Sequence, residues 1–178
     1  MSRKMVFRFN VKAALSTVFI SIISLTTAFS QEVKFIELEY STAVRPDNAH
    51  VKVYISQGTG SSYSLKVESS SLWLKLNPES LKPEVKPKEK EITITEEQFQ
   101  KIINSVQSIK QADLIGGPHP SLLDGSSCSV SFGTLGSSIS YQVNTPTYET
   151  DKRKLSDYMK AYKLILETAK LDPDSILD

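Results

Sequence analysis

The chain has 178 residues, with 21 Lys and Arg against 20 Asp and Glu, one cysteine and 39% hydrophobic residues. A balance so near neutrality argues against nucleic-acid binding, which needs a marked basic excess, and one cysteine excludes an internal disulfide. The length allows a buried core without disulfides or metals, so one domain is the expectation.

Arg3, Lys4, Arg8 and Lys12 form a basic region ahead of an uncharged apolar stretch from Leu15 to Ala28. Ala28-Phe29-Ser30 then puts small residues at both positions a signal peptidase reads. Residues 1–30 are therefore expected to be a cleavable signal peptide, with a mature chain 31–178 beginning at Gln31. The competing reading, an uncleaved anchor, is weakened by the many Ser and Thr in the run, since a spanning helix wants about 20 mostly apolar residues. Nothing after residue 31 is long or apolar enough to span a bilayer. The four charges removed with the signal are all basic, which turns the net +1 of the chain into −3.

From Val33 to Tyr40, Ile36, Leu38 and Tyr40 alternate with Glu37 and Glu39. From His50 to Ile55, Val51, Val53 and Ile55 alternate with Lys52 and Tyr54. Gly58-Thr59-Gly60-Ser61-Ser62 supplies a turn before Tyr63, Leu65 and Val67. Such period-two alternation predicts an antiparallel meander with one packed and one wet face. Leu72, Leu74 and Leu76 suggest a fourth strand or an apolar loop. Residues 78–91, rich in Pro, Lys and Glu, read as a long surface loop, because Pro83 and Pro87 forbid a helix and no apolar period runs through the charges.

Thr95-Glu96-Glu97-Gln98 is a capping box opening a helix, whose stripe is Phe99, Ile102, Ile103, Val106 and Ile109. Gly116-Gly117-Pro118 ends it. Ser127, Ser129 and Ser131 alternate with Cys128, Val130 and Phe132, and a turn at residues 133–137 leads to Ile139, Tyr141 and Val143, which predicts a hairpin. A last helix, capped by Thr150 or Asp151, carries Leu155, Tyr158, Met159, Tyr162, Ile165, Leu166 and Ala169 on one stripe and closes at Pro173. The expected fold is α+β: an antiparallel sheet of about five to six strands with two amphipathic helices on one face, in the order meander, helix, hairpin, helix.

Catalytic and metal motifs are missing. His50 and His119 are the only histidines, with neither the His-x-x-x-His spacing nor the cysteine pairs of a zinc site, and no phosphate loop or nucleophile elbow occurs. No metal and no cofactor is expected. Cys128 reads as a buried small hydrophobe, since a reactive thiol needs a polar, accessible setting. Glu37 and Glu39 share a strand face and have the residue type for glycoside chemistry, although a solvated strand face explains them as well. The segment from Gly116 to Gly125 is the candidate interaction loop, with His119 held between prolines and Leu122, Leu123 and Asp124 beside it; its plainer account is that the leucines seal the core. Lys152, Arg153 and Lys154 form a candidate anion patch for a phosphate-bearing lipid or polysaccharide, with ordinary solvated cations as the plainer account. The leading expectation is an exported, non-enzymatic binding or interaction module of the bacterial cell envelope, its partner an envelope protein or a polysaccharide. The alternative is a small exported hydrolase with dispersed Ser, His and Asp residues, collected around His119 and Asp124.

Overall fold

The computed structural model describes residues 33–43, 48–58, 62–71, 75–76, 83–84, 87–115 and 125–177. The expected signal segment, residues 1–30, and the candidate loop residues His119, Leu122, Leu123 and Asp124 lie outside the described residues.

Residues from Val33 onward build an α+β unit. Its sheet has six strands: β1 (Phe35–Thr42), β2 (His50–Gln57), β3 (Tyr63–Ser70), β6 (Lys88–Ile94), β7 (Ser126–Thr134) and β8 (Ser137–Asn144). A separate two-stranded ribbon pairs β4 (Lys75–Leu76) with β5 (Pro83–Glu84). The spatial order is β6-β3-β2-β1-β7-β8 and every pairing is antiparallel. The chain lays down the meander, crosses over a helix, and adds the hairpin beside β1. Helix α1 (Glu96–Gln107) fills that crossover, followed by the short α2 (Gln111–Ile115); α3 (Ser156–Thr168) and the short α4 (Pro173–Leu177) follow the hairpin.

Alternation decides which face is covered. Ile36, Leu38, Val53, Ile55, Leu65, Cys128 and Val130 are wholly buried, and the stripes of α1 and α3 close over them through Phe99, Ile102, Val106, Tyr158, Tyr162, Ile165 and Leu166. At about 1.5–3 kcal/mol for each large side chain removed from water, this contact is the dominant stabilising term. The capping box forms as expected: Gln98 N–H donates to Thr95 Oγ1 at 3.2 Å, and Thr95 N–H donates to Gln98 Oε1 at 2.9 Å.

Helix α3 is also pinned by two tyrosine hydroxyls one turn apart. Tyr158 donates to the carbonyl of Cys128 in β7 at 2.8 Å, and Tyr162 to the carbonyl of Glu39 in β1 at 3.0 Å. Their rings stack with centroids 5.9 Å apart, and burial pushes both hydroxyls above the usual tyrosine range.

Three expectations need correction. Residues 88–91 are not loop but the first half of edge strand β6, paired with β3 from Ser69↔Lys88 to Lys66↔Glu91. Their lack of an apolar period follows from exposure on both sides, and alternating charge on an edge deters foreign strands. The last helix starts at Ser156 rather than after Thr150 or Asp151, and its N-cap Leu155 offers no side-chain bond. Residues 145–154 instead form consecutive turns, with Thr145, Glu149 and Lys154 at positive φ. Finally, Pro173 does more than end α3: it opens α4, where proline's missing N–H costs nothing, and α4 buries Ile176 and Leu177.

Gly133 is required where it stands. A Cβ there would lie 2.2 Å from the carbonyl oxygen of Ser137 across the hairpin.

Candidate functional site

The face of the sheet opposite the helices is polar almost throughout. Cross-strand register aligns it into rows: Glu89, Glu68, Lys52, Glu39, Ser129 and Gln142 form one, and Glu91, Lys66, Tyr54, Glu37, Ser131 and Ser140 the next. One half, over β6, β3, β2 and β1, is charged; the other, over β7 and β8, is hydroxyl and amide.

A depression of about 660 Å³ lies across this face. Glu39 and Ser41 from β1, His50 and Lys52 from β2, and Glu68 and Ser70 from β3 line one wall; Ser127, Ser129, Ser131, Ser140 and Gln142 line the other. The hairpin wall is knitted together, with Ser131 Oγ donating to Ser140 Oγ at 2.8 Å and Gln142 Nε2 to Ser127 Oγ at 3.1 Å. On the charged wall Lys52 Nζ stands 2.9 Å from both Glu37 Oε2 and Glu39 Oε1. The hydrogen bonds that Lys52 donates to Glu37 and then Glu39 raise the lysine's pKa. A glycosidic oxygen entering between these two carboxylates would have to displace that ammonium.

A second hollow of about 490 Å³ opens at the other end of the same face, between Phe35, Glu37 and Tyr54 and the hairpin tip Thr134–Ser138. Phe35 and Tyr54 stack there, centroids 6.1 Å apart at 20°. Phe35 and Glu39 are four strand residues apart, about 13 Å, so the aromatic pair and the polar depression lie along one line.

The expected anion patch is dispersed. Arg153 is 5% exposed; its Nη1 donates to the carbonyls of Thr145 at 2.6 Å and Tyr148 at 3.1 Å, and its Nη2 to that of Asn144 at 2.8 Å. Desolvation lowers its pKa. Lys152 pairs with Glu149 at 2.6 Å, and only Lys152 and Lys154 of the three are exposed. Arg153 thus serves as a clasp between the hairpin exit and the turns before α3.

Cys128 lies in the core, on the helix side of the sheet, and burial pushes its thiol up to about 12. No thiolate nucleophile is present at neutral pH. His50 has Ser41 and Ser70 as its cross-strand neighbours, on the depression side.

Among the described residues there is no group of three or more His, Cys, Asp or Glu arranged to hold a metal, and no helix long and apolar enough to cross a membrane. The depression escaped the sequence reading because its residues are the outward positions of the strands. The available signal was the monotony of Ser127, Ser129, Ser131, Ser138 and Ser140, where β-branched or charged residues commonly sit. Comparison with models of protein families and with curated proteins finds no match for this chain.

Proposed function

We propose that the chain is exported by cleavage after Ser30 and acts as a non-enzymatic binding module of the bacterial cell envelope, its open sheet face taking an extended polar polymer, a polysaccharide. The observation that carries this reading is the 660 Å³ depression with serine hydroxyls, carboxylates, an imidazole and an amide along its walls. Lipid binding would call for an apolar lining. Hydroxyls that donate and accept suit sugar hydroxyls, and the stacked Phe35 and Tyr54 further along β1 offer a flat apolar surface to a sugar ring.

The test has two parts. Intact mass of the product from a secreting host is expected to begin at Gln31, and a product retaining residues 1–30 would remove the export half of the proposal. The purified protein is expected to be retained on envelope polysaccharides, with Tyr54→Ala and Ser129→Val each weakening retention about tenfold, the loss of about 1.4 kcal/mol. Retention unchanged in both variants would refute the face as the binding surface.

A second reading, a small hydrolase, draws on one observation: His50 stands between Ser41 and Ser70 in register, beside Glu39 and Glu68, in the same depression. Turnover of a simple ester that falls about a hundredfold or more in His50→Ala would favour it over binding.

A further inference from the structure

The two edges of the sheet are unlike. Edge strand β6 opens with Lys88, Glu89, Lys90 and Glu91, while edge strand β8, Ser137 to Asn144, carries no charge and no proline. An uncharged, eight-residue edge is a template for another strand.

The hairpin geometry says which backbone groups it offers. Leu135 and Gly136 form a two-residue loop between the paired Thr134 and Ser137, so Ser137, Ile139, Tyr141 and Val143 turn their N–H and C=O groups toward β7. At the far end Thr145 N–H donates to Ser126 O at 2.7 Å, in the same phase. Ser138, Ser140, Gln142 and Asn144 therefore direct theirs outward. All four residues are exposed, and among the described residues no strand pairs with this edge. The Asn144 carbonyl is already occupied by Arg153, which leaves Ser138, Ser140 and Gln142 as the residues that offer both groups outward.

We propose that β8 pairs antiparallel with β8 of a second copy, about a two-fold axis at Ser140, joining two six-stranded sheets into one. In this register Ser140 meets Ser140 of the partner subunit, and Ser138 meets Gln142 of the partner subunit, each as a pair exchanging both backbone bonds. The outward N–H and C=O groups of Ser138, Ser140 and Gln142 on both copies are all used, and none falls on the occupied Asn144 carbonyl. Between these pairs Ile139, 42% exposed, meets Tyr141 of the partner subunit on the helix side, an apolar contact that water loses. Polar side chains meet polar ones on the open face, and no like charges meet. The edge is complementary to itself, which is what a two-fold interface requires. The hydroxyl-rich half of the open face becomes the centre of the joined sheet.

Sedimentation of the purified chain over a micromolar concentration series is expected to show one copy at the dilute end and two at the concentrated end. Ser140→Cys places two thiols on the axis with Cα atoms about 5.5 Å apart, inside the range a disulfide spans, and mild oxidation is expected to give a covalent dimer. Ser138→Cys, whose opposite residue is Gln142, is expected to give none, and the buried Cys128 does not compete. Ile139→Lys is expected to weaken the dimer about tenfold or more while leaving the melting temperature within a few degrees, since the position is already partly in water. A parent that stays single at every concentration overturns the proposal. So does a dimer in which Ser138→Cys crosslinks as readily as Ser140→Cys, because that places the axis elsewhere.

Discussion

Replacing Arg153 with methionine keeps most of the buried stem and removes only the guanidinium, so it isolates the clasp between the hairpin and α3. Three hydrogen bonds to neutral carbonyls disappear, at 2.6, 2.8 and 3.1 Å. At about 1.5–3 kcal/mol per bond to a charged group, their sum is a ceiling of about 5–9 kcal/mol. Two effects bring the loss well below it. The carbonyls of exposed Asn144 and Tyr148 can rehydrate, and the variant escapes the desolvation that depresses the arginine's own pKa. A loss of about 2–4 kcal/mol remains, and for a domain of this size each kcal/mol lowers the melting temperature by about 2–4 °C, so a drop of about 5–15 °C is expected in a thermal melt followed by circular dichroism. Because the acceptors are carbonyls and not carboxylates, added salt should leave the difference nearly constant. A variant that melts within about 2 °C of the parent, or a difference that salt abolishes, would refute the clasp.

Ile102→Asp and Tyr162→Asp are each expected to abolish the cooperative melt, since both residues are wholly buried and an unpaired carboxylate there is strongly unfavourable. Tyr162→Phe should cost only about 1 kcal/mol, one part-buried hydrogen bond to the Glu39 carbonyl, and chemical denaturation distinguishes the two outcomes. Cys128 is expected to resist a thiol reagent at about pH 8 in the folded protein and to react fully in denaturant, because its thiol is pushed up to about 12 and is inaccessible; rapid labelling of the native state would contradict its place in the core. Lys52 gives a pH signature. Its folded pKa is raised by Glu37 and Glu39, so its contribution is complete below the ordinary lysine value and is lost as pH rises through the folded one. With 40% of the side chain exposed, the effect is under about 1 kcal/mol, and the stability gap between parent and Lys52→Met should narrow in alkaline melts; a gap that widens there would reverse the sign of the argument.

Periodic burial made most of the fold legible. Where one face of an element is packed, as with Ile36, Leu38 and Tyr40 or Phe99, Ile102 and Val106, the chain states its own geometry. Lys88 to Glu91 have no packed face, so their strand is set by partners in β3 and leaves no local period. The start of α3 at Ser156 is equally unmarked in the sequence. Thr150 and Asp151 have capping chemistry, but Thr150 Oγ1 is spent on the carbonyl of Pro146 and Lys154 takes a left-handed conformation, which no nearest-neighbour rule foresees. The depression was hidden more deeply, since a serine facing solvent looks the same whether or not it has company across five strands.

The two hydroxyls of α3 have a consequence for the order in which the molecule is made. They fasten β1 and β7 together from above, and one of these contacts joins residues 123 positions apart in the chain. Strand β7 is made before α3, so the seam between β1 and β7 has both its strands but not its cover until that helix follows, and long-range pairing of this kind is slow to close. The seam is therefore among the last parts of this fold to be sealed, although β1 is the first of its described strands.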